Sequence, residues 1–184
     1  MLGGAALSLP PLRPLIEQSM VWHMLVQMPL LVLGGWLVAG HWWARQAPAL
    51  LERFNRFGLT GFILTTLIAG YWMIPSMIDR AVVMPGTDLA KIITLWLGGV
   101  ALRHSMQRAP MLVQLFFLGY TLPMMLWLGL YYATTDLRLC NAYSLESQLA
   151  AGNGLLVLAS AAGALWLYSG AAGRFISTVW KPVK

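Results

Sequence analysis

The chain has 184 residues, 59% of them apolar and only 10% charged, with nine Trp, a formal net charge of +6 at pH 7 and a mean hydropathy of +0.69. That balance excludes a soluble core with a wetted shell, because too little polar surface exists to coat one. It also excludes reading the positive charge as a nucleic-acid footprint. Three basic residues are C-terminal and the rest are spread one to three per loop, not gathered in a stripe.

The N-terminal stretch contains Pro10, Pro11 and Pro14 and one early charge, Arg13. Without a basic leader and a compact cleavable apolar run, 1–17 reads as a retained tail and not as a signal peptide. Five apolar segments follow, at 18–40, 57–78, 87–102, 111–132 and 145–170. A helix rises about 1.5 Å per residue and crosses the hydrocarbon in about 20 residues, so all but the third are long enough. The third carries Asp88 and Lys91 at its start, so it must begin near Met84 or be shielded by protein. Their i, i+3 spacing suits a pair on one helix face. The expected fold is all-α and polytopic: a five-helix transmembrane bundle over 18–170, followed by a basic tail at 171–184.

An odd number of crossings places 1–17 and the loops 79–86 and 133–144 on one side. Residues 41–56, 103–110 and the C-terminus then share the other. Eight of the twelve basic residues (Arg45, Arg53, Arg56, Arg103, Arg108, Arg174, Lys181, Lys184) fall on the second side. Five of the six acids (Glu17, Asp79, Asp88, Asp136, Glu146) fall on the first or just inside it. By the positive-inside rule the second side is cytoplasmic, giving N-outside and C-inside in a bacterial inner membrane. Trp22, Trp42, Trp43, Trp72 and Trp180 stand near segment boundaries, where an amphipathic indole is stable. The single cysteine, Cys140, excludes an intramolecular disulfide and leaves a free thiol, an intermolecular partner or a metal ligand.

Met20, His23, Met24, Gln27 and Met28 recur at steps of three and four, so they form one stripe of the first helix. Thioether plus imidazole is a soft donor set suited to Cu(I) and poor for Mg or Ca. Met73 and Met77 bring further thioethers to the outer end of the second segment. The bland alternative is packing for the methionines, which fill irregular gaps, and a structural hydrogen bond for His23. Asp79 stands beside Arg80, either as a local ion pair or, with Asp136 and Glu146, as an acidic entry point for a cation. Ser144 and Glu146 suit the capped start of the last helix, and Gln148, one turn deeper, needs a partner within the bundle. Paired glycines such as Gly34–Gly35 and Gly98–Gly99 permit close helix approach.

No HExxH, haem-attachment sequence or glycine-rich nucleotide loop is present, so the pattern points to a non-catalytic protein. Haem between two histidines would need matched depths. His23 lies near the outer face, which leaves only His41 and His104 as a pair.

Three patches carry a family resemblance: 23–34 (HMLVQMPLLVLG), 72–79 (WMIPSMID) and 145–152 (LESQLAAG). In this order they resemble the CtaG-type membrane family implicated in cytochrome c oxidase assembly and copper handling. The resemblance implies a periplasm-facing Cu(I) site at His23 with Met20, Met24, Met28, Met73 and Met77, and an oxidase or copper enzyme as partner. Met28 and Met73 stand where that family has histidines, and 87–102 lacks the histidines of its His-rich helix. The alternative expectation is a small structural or accessory subunit of a larger membrane enzyme or respiratory complex. Lipids and other membrane subunits are then its partners.

Overall fold

The computed structural model describes residues 19–42 and 54–168. The expected tails at 1–17 and 171–184, and the loop bearing Arg45 and Arg53, lie outside the described residues. Within them the architecture is all-α. A π-helical turn, Trp22–Gln27, runs into α1, Met28–Trp42. In that turn the Met28 N–H reaches the carbonyl of His23, five residues back. Pro29 supplies the reason: it has no N–H to donate, and its ring crowds the carbonyl four residues behind it, a clash that a wider turn relieves. Met20, His23, Met24, Gln27, Met28 and Leu31 are all buried along this stretch.

Next come α2, Leu59–Trp72, and α3, Pro75–Val83, which turns 73° away from it. The apolar stretch 57–78, expected as one helix, is therefore broken. Pro75 holds Ile74 extended at ψ 127° and offers no N–H to continue the ladder. The third apolar segment becomes α4, Pro85–Arg108, a 24-residue helix whose N-cap is Met84. Two more helices of 24 residues complete the described residues: α5, Met111–Thr134, and α6, Leu145–Tyr168. Three stretches, Trp22–Gly40, Met111–Thr134 and Leu145–Tyr168, are long and apolar enough to cross a membrane. The bent pair α2–α3 makes a fourth if it is one span.

Helices α1 and α4 approach until backbone meets backbone: Gly35 lies against the Trp96 carbonyl and Gly99 against the Val32 carbonyl. Such close approach adds dispersion contacts along the whole crossing. On the other flank of α4, the Thr65 hydroxyl of α2 donates to the Gly61 carbonyl (2.8 Å) and lies 3.1 Å from that of Gly98. Helices α5 and α6 form a hairpin with Gly129 opposite Gly152. Only Gly129 and Tyr132 of α5 are buried. Between α2 and α5 runs an apolar furrow with cavities of about 310 and 480 Å³, crossed by the stacked rings of Phe62 and Phe117 at 4.3 Å. The buried core gathers at the end where α2 breaks, around Met20, Met24, Trp72, Ile78, Tyr132 and Leu155.

At the opposite end Asn55 joins α2 to α4. Its amide N–H groups lie 2.9 Å from Ser105 Oγ and 3.2 Å from His104 Nδ1, and its carbonyl accepts the Gly61 N–H at 3.0 Å. Gly58 makes the turn into α2 at φ 75°. A Cβ there would stand 2.7 Å from the Ser105 carbonyl oxygen. Gly58→Ala is therefore expected to cost about 1–3 kcal/mol, read as a lowered Tm in detergent. Gly70→Ala, whose Cβ meets nothing within 4 Å, serves as the control.

Candidate functional site

The first helical turns bring His23 to the bundle axis with no solvent exposure, and α4 brings Lys91 to the same place, also fully buried. Lys91 Nζ lies 2.9 Å from His23 Nε2, 3.3 Å from Gln27 Oε1 and 2.7 Å from Asp88 Oδ1. An ammonium has N–H donors and no acceptor, and here it hydrogen-bonds to His23 and Gln27 and forms an ion pair with Asp88. That assigns the tautomer of the imidazole. With Nε2 accepting from Lys91, Nδ1 carries the proton and donates to the Tyr143 hydroxyl at 2.6 Å. Among the described residues a carboxylate, an ammonium and an imidazole form a compact centre in which opposite charges face each other, as a buried charge requires.

The 135–144 loop sets Tyr143 against His23, and it is held by side chains at both ends. Gln148 accepts the Leu139 N–H at 2.8 Å and donates to the Leu137 carbonyl at 3.1 Å. Its partner is thus the loop, not another helix. Asp79 accepts the N–H groups of Asn141 (2.8 Å) and Ala142 (3.0 Å), so this carboxylate anchors the loop. Arg138 Nε donates to the Tyr143 carbonyl at 2.7 Å. Ser144 Oγ accepts the Ser147 N–H at 3.2 Å, and Ser147 Oγ accepts the Met20 N–H at 2.8 Å, tying the first helix to α6. Asp136 and Glu146 are exposed on the same end and make no part of the buried centre.

Cys140 is buried within this loop, its Sγ 3.9 Å from the Pro75 carbonyl. Burial, and then the nearby Asp79 carboxylate, push its thiol from 9.0 up to about 12. The folded value exceeds the unfolded one, so the fold favours the neutral thiol. That contribution to stability is whole below about pH 9 and declines as pH rises from 9 towards 12. Iodoacetamide at pH 8 is expected to leave Cys140 unmodified in the folded protein and to alkylate it once unfolded. Labelling of the native chain at the rate of a free cysteine would contradict this environment.

The soft donors do gather: Met20, Met24 and Met28 are buried in the core that holds Tyr143, and Met73 and Met77 pack against it. As arranged, however, they do not present an imidazole to a metal ion. His23 Nε2 is taken by an ammonium 2.9 Å away, and Nδ1 by Tyr143. Among the described residues no group of three or more His, Cys, Asp or Glu is placed to hold a metal ion. The His104 ring is bound to Asn55, while the side chain of His41 lies outside the described residues.

The sequence reading placed His23, Gln27 and the methionines in one stripe but did not join them to Asp88 and Lys91, and it did not single out Tyr143. A charge pair in an apolar segment and a histidine in another are both groups that need buried partners, and that signal links them. Tyr143 carries no comparable signal, since its place depends on the loop. No protein-family model, curated protein or solved structure matches this chain.

Proposed function

We propose that this is a non-catalytic, multi-pass protein of a bacterial inner membrane that works as an accessory subunit of a larger membrane complex. Five crossings, N-outside and C-inside, put the His23 centre near the periplasmic face and the Asn55–His104 cluster near the cytoplasmic one. α4 is then the crossing whose charges are shielded by its neighbours. The observation that carries this reading is the contrast between two surfaces. The polar centre is closed on itself, with both ring nitrogens of His23 and the ammonium of Lys91 engaged internally. The long flank of α5 and the furrow beside α2 stay uncovered, with Phe116 72% and Trp127 73% exposed.

The test is extraction of native membranes in mild detergent, followed by native electrophoresis. Migration in an assembly far above 20.3 kDa is expected, with a photo-crosslinker at position 116 or 127 trapping one neighbour of defined mass. A chain that migrates alone and crosslinks only lipid sinks the accessory reading.

A second reading, copper handling or assembly of cytochrome oxidase at the periplasmic face, draws on the family resemblance and on one observation. Met20, Met24 and Met28 lie in the buried core that includes Tyr143, the partner of His23, and Met73 and Met77 pack against that core. It requires Cu(I) in the wild-type protein after purification under reducing conditions, lost in His23→Ala or Met24→Ala.

A further inference from the structure

Lys91 enters the centre from the second turn of α4 with a wholly buried side chain. Its ammonium stands 2.9 Å from an imidazole nitrogen and 2.7 Å from a carboxylate oxygen. This is the place, and the charge, of a cation bound by His23 and Asp88. We infer that Lys91 is the resident cation of the His23 centre, and that it closes the centre to soft metal ions. It fills the only imidazole lone pair left once Nδ1 is committed to Tyr143, and it neutralises the carboxylate that would otherwise attract a cation. An incoming Cu(I) has to expel a unit positive charge from a site where the ammonium has two hydrogen-bond acceptors and a carboxylate at 2.7 Å.

The same contacts give Lys91 a mechanical role. Through one nitrogen it joins α4 to the π-helical turn, and through His23 and Tyr143 it reaches the 135–144 loop. The centre is thus a charged cross-link that needs no metal. Removing the ammonium leaves the imidazole and the carboxylate, with Met20, Met24 and Met28 buried in the core that includes Tyr143, the partner of His23. This inference stands apart from the accessory reading, since a subunit docks through its apolar flank with or without metal.

The test uses the full chain in detergent micelles, with Cu(I) supplied from a buffered chelator under reducing conditions. Wild type is expected to retain no stoichiometric Cu(I). Lys91→Met is expected to bind about one Cu(I) per chain, about a thousandfold tighter, the scale of removing a unit charge roughly 4 Å away at an effective dielectric near 20. The Lys91→Met/His23→Ala double variant is expected to lose that ion again. Stoichiometric, His23-dependent Cu(I) in wild type overturns the inference, as does a folded Lys91→Met that binds no better than wild type. Should Lys91→Met fail to fold, the ring ¹⁵N shifts of His23 in the wild-type protein decide. A neutral ring protonated on Nδ1, with Nε2 as acceptor, supports Lys91 as its donor, and protonation on Nε2 overturns it.

Discussion

Lys91→Ala is expected to destabilise the chain by about 3–5 kcal/mol, the scale on which breaking a buried ion pair from one side leaves a charge without compensation. The variant removes the ion-pair partner of the Asp88 carboxylate and the donor to His23 Nε2 and Gln27 Oε1 at once. Removing the carboxylate as well takes away the charge that the variant leaves uncompensated. The Lys91→Ala/Asp88→Asn double variant is therefore expected to be less damaged than the sum of the two single changes. Unfolding in mixed micelles, followed by Trp fluorescence, gives the four corners of that cycle. A loss below about 1 kcal/mol for Lys91→Ala, typical of exposed pairs, would mean that water reaches the centre and that its charges are not truly buried. A reporter at Tyr143 separates the two effects of the variant. If Lys91 holds His23 in its tautomer, the Tyr143 contact loosens with it, and the 135–144 loop gains access to protease at neutral pH.

Gly99→Val and Gly35→Val are expected to cost about 3 kcal/mol or more each, beyond the usual range for an overpacked interior, because the obstacle is backbone and not a yielding side chain. The added Cβ at position 99 meets the Val32 carbonyl, and that at position 35 meets the Trp96 carbonyl, so neither helix relaxes by a rotamer change. The helices must separate. Lys91 lies two turns along α4 from Gly99, and displacement of that helix draws its ammonium away from His23, so damage at the glycine crossing should also appear at the polar centre. Gly98→Ala is the matched control: its Cβ would rest 3.6 Å from Ile68 Cδ1, an ordinary contact. A change within about 1 kcal/mol, of either sign, is expected there. Equal losses at positions 98 and 99 would show that the crossing is set by something other than backbone approach.

These two predictions bear on how much could be read before any coordinates were considered. The stripe from Met20 to Met28 was visible because helical spacing alone puts residues three and four apart on one side, and every member is buried. The paired glycines stood out as places for close approach, but only the packing separates Gly35 and Gly99, pressed on carbonyls, from Gly34 and Gly98, which have room. The i, i+3 spacing of Asp88 and Lys91 announced their ion pair. It said nothing of a third partner on another helix. The apolar run 57–78 reads as one helix, whereas the break at Pro75 and the 73° turn that follows depend on what α3 can pack against.

What the sequence determined by itself is the set of obligations: apolar stretches that must be helical in lipid, and buried polar groups that must find partners. Those follow from local composition and spacing, because backbone hydrogen bonding and the cost of desolvating a charge do not depend on topology. Which partners meet was decided only by the tertiary structure. His23 meets Lys91 across 68 residues and Tyr143 across 120, and no local rule measures such separations. Backbone contact at Gly35 and Gly99 sets α4 against α1, and Asp79 and Gln148 hold the loop that carries Tyr143. With those placements made, the lone pair that the sequence offered to a metal ion is filled by an ammonium of the chain itself.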